Sequence, residues 1–356
     1  MLTTAFSFIL VLGILIFIHE LGHFLVAKKV GIRVEKFSLG FPPNLFSKTV
    51  GETTYCIGLI PLGGFVKMVG ENPEENPTGA PYEFMSKTVG QRAAVIIAGP
   101  FMNYLLAIFL MIGIVYFGGR AIYDETRVIV GEVPENKPAY GAGLRTDDQI
   151  IAVNGEPLST FDTVRTRINR VVNDSLTLTW VRGLDTISAR ILTEGTPIPN
   201  EQGGVDSIGV IGFAQKAISY ERYGFFESVK RGFVSTHIIV RETVFFVKRV
   251  LTGQVSAKMM GGPLFIAKQS GEEARKGAAS LFFFMALLSV NLAVLNVLPI
   301  PILDGGHLVF LAVEKVKGSP LSVKVRAIAQ QVGLVVLLSL IVFVTYNDIL
   351  RVFRGW

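Results

Sequence analysis

The chain has 356 residues, 50% of them hydrophobic and 17% charged, with a mean hydropathy of +0.49. Soluble domains carry about 25% charged residues, so the composition excludes an ordinary water-soluble globule and points to a polytopic α-helical membrane protein. The net charge of +6 is spread along the chain without the like-charge block of a nucleic-acid arm. It reads as cytoplasmic loops and contact with an anionic lipid bilayer, and no nucleic-acid partner is expected.

Residues 1–27 form the first apolar segment long enough to cross about 30 Å of hydrocarbon. No Lys or Arg precedes Lys28, and the run ends in "HELGH" at residues 19–23. It is therefore expected to stay as a transmembrane helix, since a cleaved signal peptide wants a basic start and a small-residue cleavage site. Residues 28–91 are expected on the cytoplasmic side. They hold the strand-forming run "TTYCIGLIPLGGFVKM" (53–68) and an acidic, proline-rich exposed loop, "ENPEENPTGAP" (71–81).

Residues 92–118 read as a second transmembrane helix. Residues 126–196 read as a small soluble domain, with β-type runs such as "QIIAVNG" and the period-2 pattern of "LTLTWVR". Residues 205–275 form an amphipathic helical region. Within it, Phe225, Phe226, Val229, Phe233, Val240, Val244, Val247 and Leu251 recur at helical spacing between Lys230, Arg231, Arg241, Lys248 and Arg249. Such a helix either packs on protein or lies at the membrane surface, and the second is favoured. Residues 281–303 and 327–347 complete four spans. Basic residues after span one (Lys28, Lys29, Arg33, Lys36) and between spans three and four (Lys315, Lys317, Lys324, Arg326) put both connections in the cytoplasm. Both termini and the soluble domain then face outward.

The "HELGH" cluster needs a chemical reason. Two histidines and a glutamate inside an apolar span cost several kcal/mol unless paired or coordinated. Residues i and i+4 share one helix face, about 6 Å apart along the axis, so His19 and His23 can offer nitrogens to one Zn²⁺. Glu20 projects beside that metal as a general base. Cys56 is the only cysteine, so the third ligand must be a carboxylate or a histidine. "NVLPIPILDGGH" (296–307) supplies it: Asp304 ends span three at the same cytoplasmic depth. Pro299 and Pro301 break the helix before it and turn the carboxylate inward. His307 is the rival ligand.

Taken together, "HELGH" in the first span and "NVLPIPILDG" in the third resemble the site-2 protease family of intramembrane zinc metalloproteases, bacterial regulator-of-sigma-E type. "PLGGFVKM" (61–68) resembles that family's membrane re-entrant β-loop and "AGPFMN" (98–103) its Gly-Pro-x-x-Asn motif. "GGPLFIAKQSG" (261–271) resembles a segment before its third span. "GAGLRTDDQIIAVNGEPL" resembles a PDZ domain, with room for one where relatives carry two in tandem. The resemblance implies one inserted extracytoplasmic PDZ-like α+β domain on four transmembrane helices in the bacterial inner membrane. It implies Zn²⁺ held by His19, His23 and Asp304, with Glu20 as catalytic base. It also implies substrate contacts from Asn296, Asn291, Gly63, Gly64 and Asn103. The implied substrate is a single-pass transmembrane protein already trimmed by a first protease, for example an anti-sigma factor, or a remnant signal peptide. Two other classes remain at this point: a catalytically silent PDZ-bearing membrane adaptor, and a zinc transporter. The transporter would want charged residues along several spans, whereas span two from Ala93 onward and span four hold none.

Overall fold

The computed structural model describes residues 2–72, 78–158, 160–199 and 205–354, so the centre of the acidic loop at 71–81 lies outside the described residues. The chain divides into two compact units. One contains Met1–Ile114, Phe225–Lys248 and Ser256–Trp356, and the other Val115–Gly224 and Arg249–Val255.

The first unit is built on long apolar helices. Helix α1 spans Leu2–Lys29 and leads into strands β1 (Val34–Val50) and β2 (Thr53–Met68). The expected strand run at 53–68 is thus half of a larger hairpin. Each of its strands folds back once. Phe37 faces Tyr55 on one side and Val66 on the other, while Ser47 and Ser38 both face Cys56. Four short segments therefore lie side by side in the order 44–50, 53–57, 36–39 and 64–68, with Gly64–Met68 at an edge. Val34, Phe37, Val66 and Met68 root the hairpin in a core shared with Ala27, Val95, Ile96 and Leu311. Its far end leaves Leu45, Phe46, Ile57 and Leu59 exposed.

Helix α2 (Val89–Gly118) crosses α1 where glycine permits contact: a Cβ on Gly22 would lie 2.3 Å from the Ala98 carbonyl oxygen. Four described helices are long and apolar enough to cross a membrane: Leu2–Lys29, Val89–Gly118, Ala278–Val297 and Val323–Phe353.

The second unit has a pure soluble-domain logic. Strands β3 (Arg120–Tyr123), β4 (Val128–Ile129), β5 (Gln149–Val153), β6 (Glu156–Pro157), β7 (Ser175–Arg182) and β8 (Asp185–Leu192) accompany the short helices α3 (Pro138–Gly141) and α4 (Phe161–Asn169). The main sheet has the order β4-β5-β7-β8, with β6 paired to β5. Alternation along β7 buries Leu176, Leu178 and Trp180 against Val164 and Ile168 of α4. The unit runs past the expected boundary at residue 196. β9 (Glu194–Pro199) pairs with β10 (Val205–Val210), Ile211 joins the core, and β11 (Ala217–Glu221) pairs with β3.

Helix α5 (Phe225–Leu251) settles between the two expectations for it. Over residues of the first unit, Ile239 and Val240 pack on Ala107, Met111, Ala286 and Val290, and Gly232 abuts Ile112, while Phe225, Phe226 and Phe233 remain exposed. Helix α6 (Pro263–Lys276) lies along α1, with Gly271 against Thr4. Its N-terminal Gly262 and Phe265 amides donate to the buried Asp348 carboxylate of α9 (Val323–Arg354). Helix α7 (Ala278–Val297) ends earlier than the expected residue 303. Asp304 instead begins a separate helix, α8 (Asp304–Lys317). The prolines explain the difference, because neither Pro299 nor Pro301 can donate a helical hydrogen bond.

Candidate metal centre

Helical spacing stacks His19 and His23 on one face of α1, with their Nε2 atoms 3.2 Å apart. The first turn of α8 brings in Asp304, whose Oδ2 lies 3.2 Å from His19 Nε2 and 3.6 Å from His23 Nε2. Its place at a helix N-terminus suits a carboxylate. That position depends on close backbone packing. A Cβ on Gly305 would lie 2.2 Å from the Leu298 carbonyl oxygen, so only glycine lets residues 298–303 fold back over the start of α8. Among the described residues, His19, His23 and Asp304 are the one group with metal-ligand convergence.

The chemistry of this trio fits a zinc ion. Donors about 2.0–2.2 Å from a tetrahedral zinc stand about 3.3–3.5 Å from each other, close to the three separations found. His23 Nδ1 donates to the Val95 carbonyl at 2.8 Å, which leaves its Nε2 as a bare lone pair. Asp304 Oδ2 is buried and receives no hydrogen bond. With both imidazoles neutral and their Nε2 atoms unprotonated, the converging electron pairs would repel, and a bound cation would convert that repulsion into coordination. Gly99 of α2 closes the back of the site: a Cβ there would lie 2.3 Å from His23 Nε2.

The trio opens on a cavity of about 610 Å³ lined by Glu20, by Gly64–Met68 of β2 and by His307. Glu20 sits beside the ligands, and a Cβ on Gly64 would lie 2.9 Å from its Cγ. His307 lies in the cavity wall, its ring 5.9 Å from that of Phe310, outside the converging trio. Burial holds the His307 imidazole below its ordinary range. Deeper in the same wall, Arg92 of α2 and Glu314 of α8 form a two-armed ion pair with both side chains largely buried. It ties the helix carrying Asp304 to the helix backing the histidines. Sequence reading gave no sign of it, because 222 positions separate the partners.

The other expected substrate contacts fall in varied places. Gly64 lines the cavity, while Gly63 is pressed against the Phe41 ring. Asn296 is half-buried in the last turn of α7. Asn291 accepts a hydrogen bond from the Thr243 hydroxyl at 2.8 Å, a helix–helix contact. Asn103 is fully buried behind His19, with its Nδ2 3.2 Å from His19 Nδ1.

Residues 7–340 match the family model described as Peptidase family M50. The chain is 32% identical to the zinc metalloprotease RasP of Geobacillus kaustophilus, over 99% of each chain. It is 31% identical to the regulator of sigma-E protease RseP of Escherichia coli, over 97% of this chain and 98% of that one. Among solved structures, 27% of this chain is similar to 92% of the PDZ domain of an SdrC-like protein from Listeria monocytogenes, at 18% identity and a TM-score of 0.20. With the family matched across nearly the whole length, the adaptor and transporter readings fall away. The chain belongs to peptidase family M50, the site-2 protease family of zinc metalloproteases.

Proposed function

We propose that this zinc metalloprotease hydrolyses a peptide bond within or near the transmembrane segment of a single-pass membrane protein, for example an anti-sigma factor already trimmed by a first protease, or a remnant signal peptide. The observation that carries the reading is the meeting of His19, His23 and Asp304 at 3.2–3.6 Å on a helix apolar enough to span a bilayer. His19, His23 and Asp304 would hold a zinc ion, which would supply Lewis-acid polarisation of the scissile carbonyl and a more acidic bound water. Glu20 takes the proton of the attacking water and passes it to the leaving amine. Asn296 holds the substrate backbone.

A substrate helix has its peptide groups hydrogen-bonded to each other and must unwind before it can be cut. The extended chain then needs new partners, because unpaired backbone is not tolerated at membrane depth. The edge segment Gly64–Met68, which lines the cavity beside Glu20, suits strand addition. In this reading β1 and β2 form a loop that re-enters the membrane. The second unit is a PDZ-like domain facing the extracytoplasmic side, where it screens approaching substrates. The ligand trio lies near the cytoplasmic face of the inner membrane.

The test uses purified full-length protein in detergent with a single-span reporter trimmed on its outer side. Mass spectrometry should place the cut inside the apolar segment, and Glu20→Gln should abolish it while keeping the fold. Cleavage by Glu20→Gln at the wild-type rate, or a cut confined to the soluble part, would overturn the proposal.

A further inference from the structure

Asn103 is fully buried, and its Oδ1 has no hydrogen-bond partner among the described residues. Its Nδ2 stands 3.2 Å from His19 Nδ1. The backbone around it is firmly held, since the Ser289 hydroxyl of α7 donates to the Asn103 carbonyl at 2.7 Å. A buried amide oxygen without a donor, next to a ring nitrogen that must carry a proton if the other ring nitrogen is a metal ligand, is a mismatch with a simple resolution. A half-turn of the amide exchanges two groups of nearly equal size and places Oδ1 where Nδ2 stands. Oδ1 then accepts from His19 Nδ1–H, and the unpartnered position passes to the amide nitrogen, away from His19.

We propose that Asn103 is the positioning residue of the zinc site: its side-chain oxygen fixes the tautomer and ring plane of His19, keeping the Nε2 lone pair aimed at the metal. His23 is held in the same way from the same helix, by the Val95 carbonyl at 2.8 Å. Helix α2 therefore supplies both outer hydrogen bonds, one from its backbone and one from a side chain. Gly99 lies between the two on the helix, where a Cβ would enter the ligand cluster. "AGPFMN" thus forms the back plate of the metal site, and full burial removes the Asn103 side chain from contact with substrate. An acceptor on a metal-bound imidazole raises its basicity and holds its orientation, and loss of such a partner typically costs about 10–100-fold in metal affinity.

This inference rests on zinc being held by His19, His23 and Asp304, and the experiment separates the two. Full-length wild type, Asn103→Leu, Asn103→Asp and Ser289→Ala are purified, and zinc affinity is measured by competition with a chelator. The spectrum of the cobalt-substituted form gives a second readout. Asn103→Leu keeps the volume and removes the acceptor, so its affinity should fall about 10–100-fold. Asn103→Asp keeps an acceptor and should retain zinc within a few-fold, with altered cobalt bands. Ser289→Ala disturbs the same packing without touching His19 and should bind as wild type does. If Asn103→Leu does not fold, as judged by melting of the zinc-free protein, Asn103→Ala replaces it. Wild-type affinity in the acceptor-free variant, an equal loss in the Leu and Asp variants, or an equal loss in Ser289→Ala would each overturn the role of Asn103. Absence of zinc from the wild type would instead overturn the reading on which it stands.

Discussion

Two carboxylates, Asp148 in the second unit and Asp304 in the first, are treated in opposite ways. In the second unit Asp148 is 1% exposed and satisfied: Arg182 donates twice at 2.7 Å and the Arg145 amide once at 2.8 Å. In the first unit Asp304 Oδ2 is buried without a donor and faces two imidazole nitrogens. A satisfied buried carboxylate ties strands and turns together. An unsatisfied one among other lone pairs is a stability cost that a cation offsets. The surrounding side chains follow the same division, with Leu176, Leu178 and Trp180 filling a core in one unit and glycine opening space for ligands in the other.

The metal site is most vulnerable at Gly99. Gly99→Ala puts a methyl 2.3 Å from His23 Nε2, so zinc content measured by mass spectrometry should fall to near zero. Gly113→Ala, on the same helix with nothing within 4 Å, should keep zinc unchanged. Next comes the ion pair that holds α8 to α2. Arg92→Ala strands Glu314 in a largely buried place and should destabilise the first unit by about 3–5 kcal/mol in thermal melts. The double change Arg92→Met with Glu314→Leu should recover most of that.

Asp148→Ala sharpens the contrast from the other side. Arg182 is 45% exposed and can turn to water, so the loss should be about 1–3 kcal/mol, with zinc content untouched. The smallest effect concerns Asp124, whose carboxyl is held down to about 2 by the Thr126 hydroxyl and amide and by Arg127. A depressed carboxylate stabilises the fold above its unfolded value near ~3.9, and that contribution fades as pH falls towards about 2. Asp124→Asn should therefore flatten the melting temperature of this unit across that acid range and weaken it slightly at neutral pH.

Much of the site was legible in the sequence because its chemistry is extreme. Histidines and a glutamate in an apolar run have few explanations, and "LDGG" after two prolines names a helix break with a carboxylate at it. The helix boundaries around Asp304 were less legible, since apolar composition alone continues through residues 298–303 after the α-helix has ended at Val297. The fourfold layering of the β-hairpin was hidden for a related reason. β1 turns between Phe41 and Asn44, so that its two halves lie on both sides of the 53–57 segment, and no alternation in the sequence marks that. The helix-to-helix partnerships, Thr243 with Asn291 and Arg92 with Glu314, come from chain positions far apart and leave no local pattern. Asn103 belongs to the "AGPFMN" motif, but its place behind His19 depends on the crossing of α1 and α2.

The central claim is that one zinc ion is held by the trio and used by Glu20. Zinc per chain, measured beside cleavage of a trimmed single-span reporter, tests it most directly. Wild type should carry one zinc and cut, Glu20→Gln should carry one zinc and not cut, and Asp304→Ala should carry none. A full complement of zinc in Asp304→Ala, or cleavage by protein from which zinc has been stripped, would contradict it.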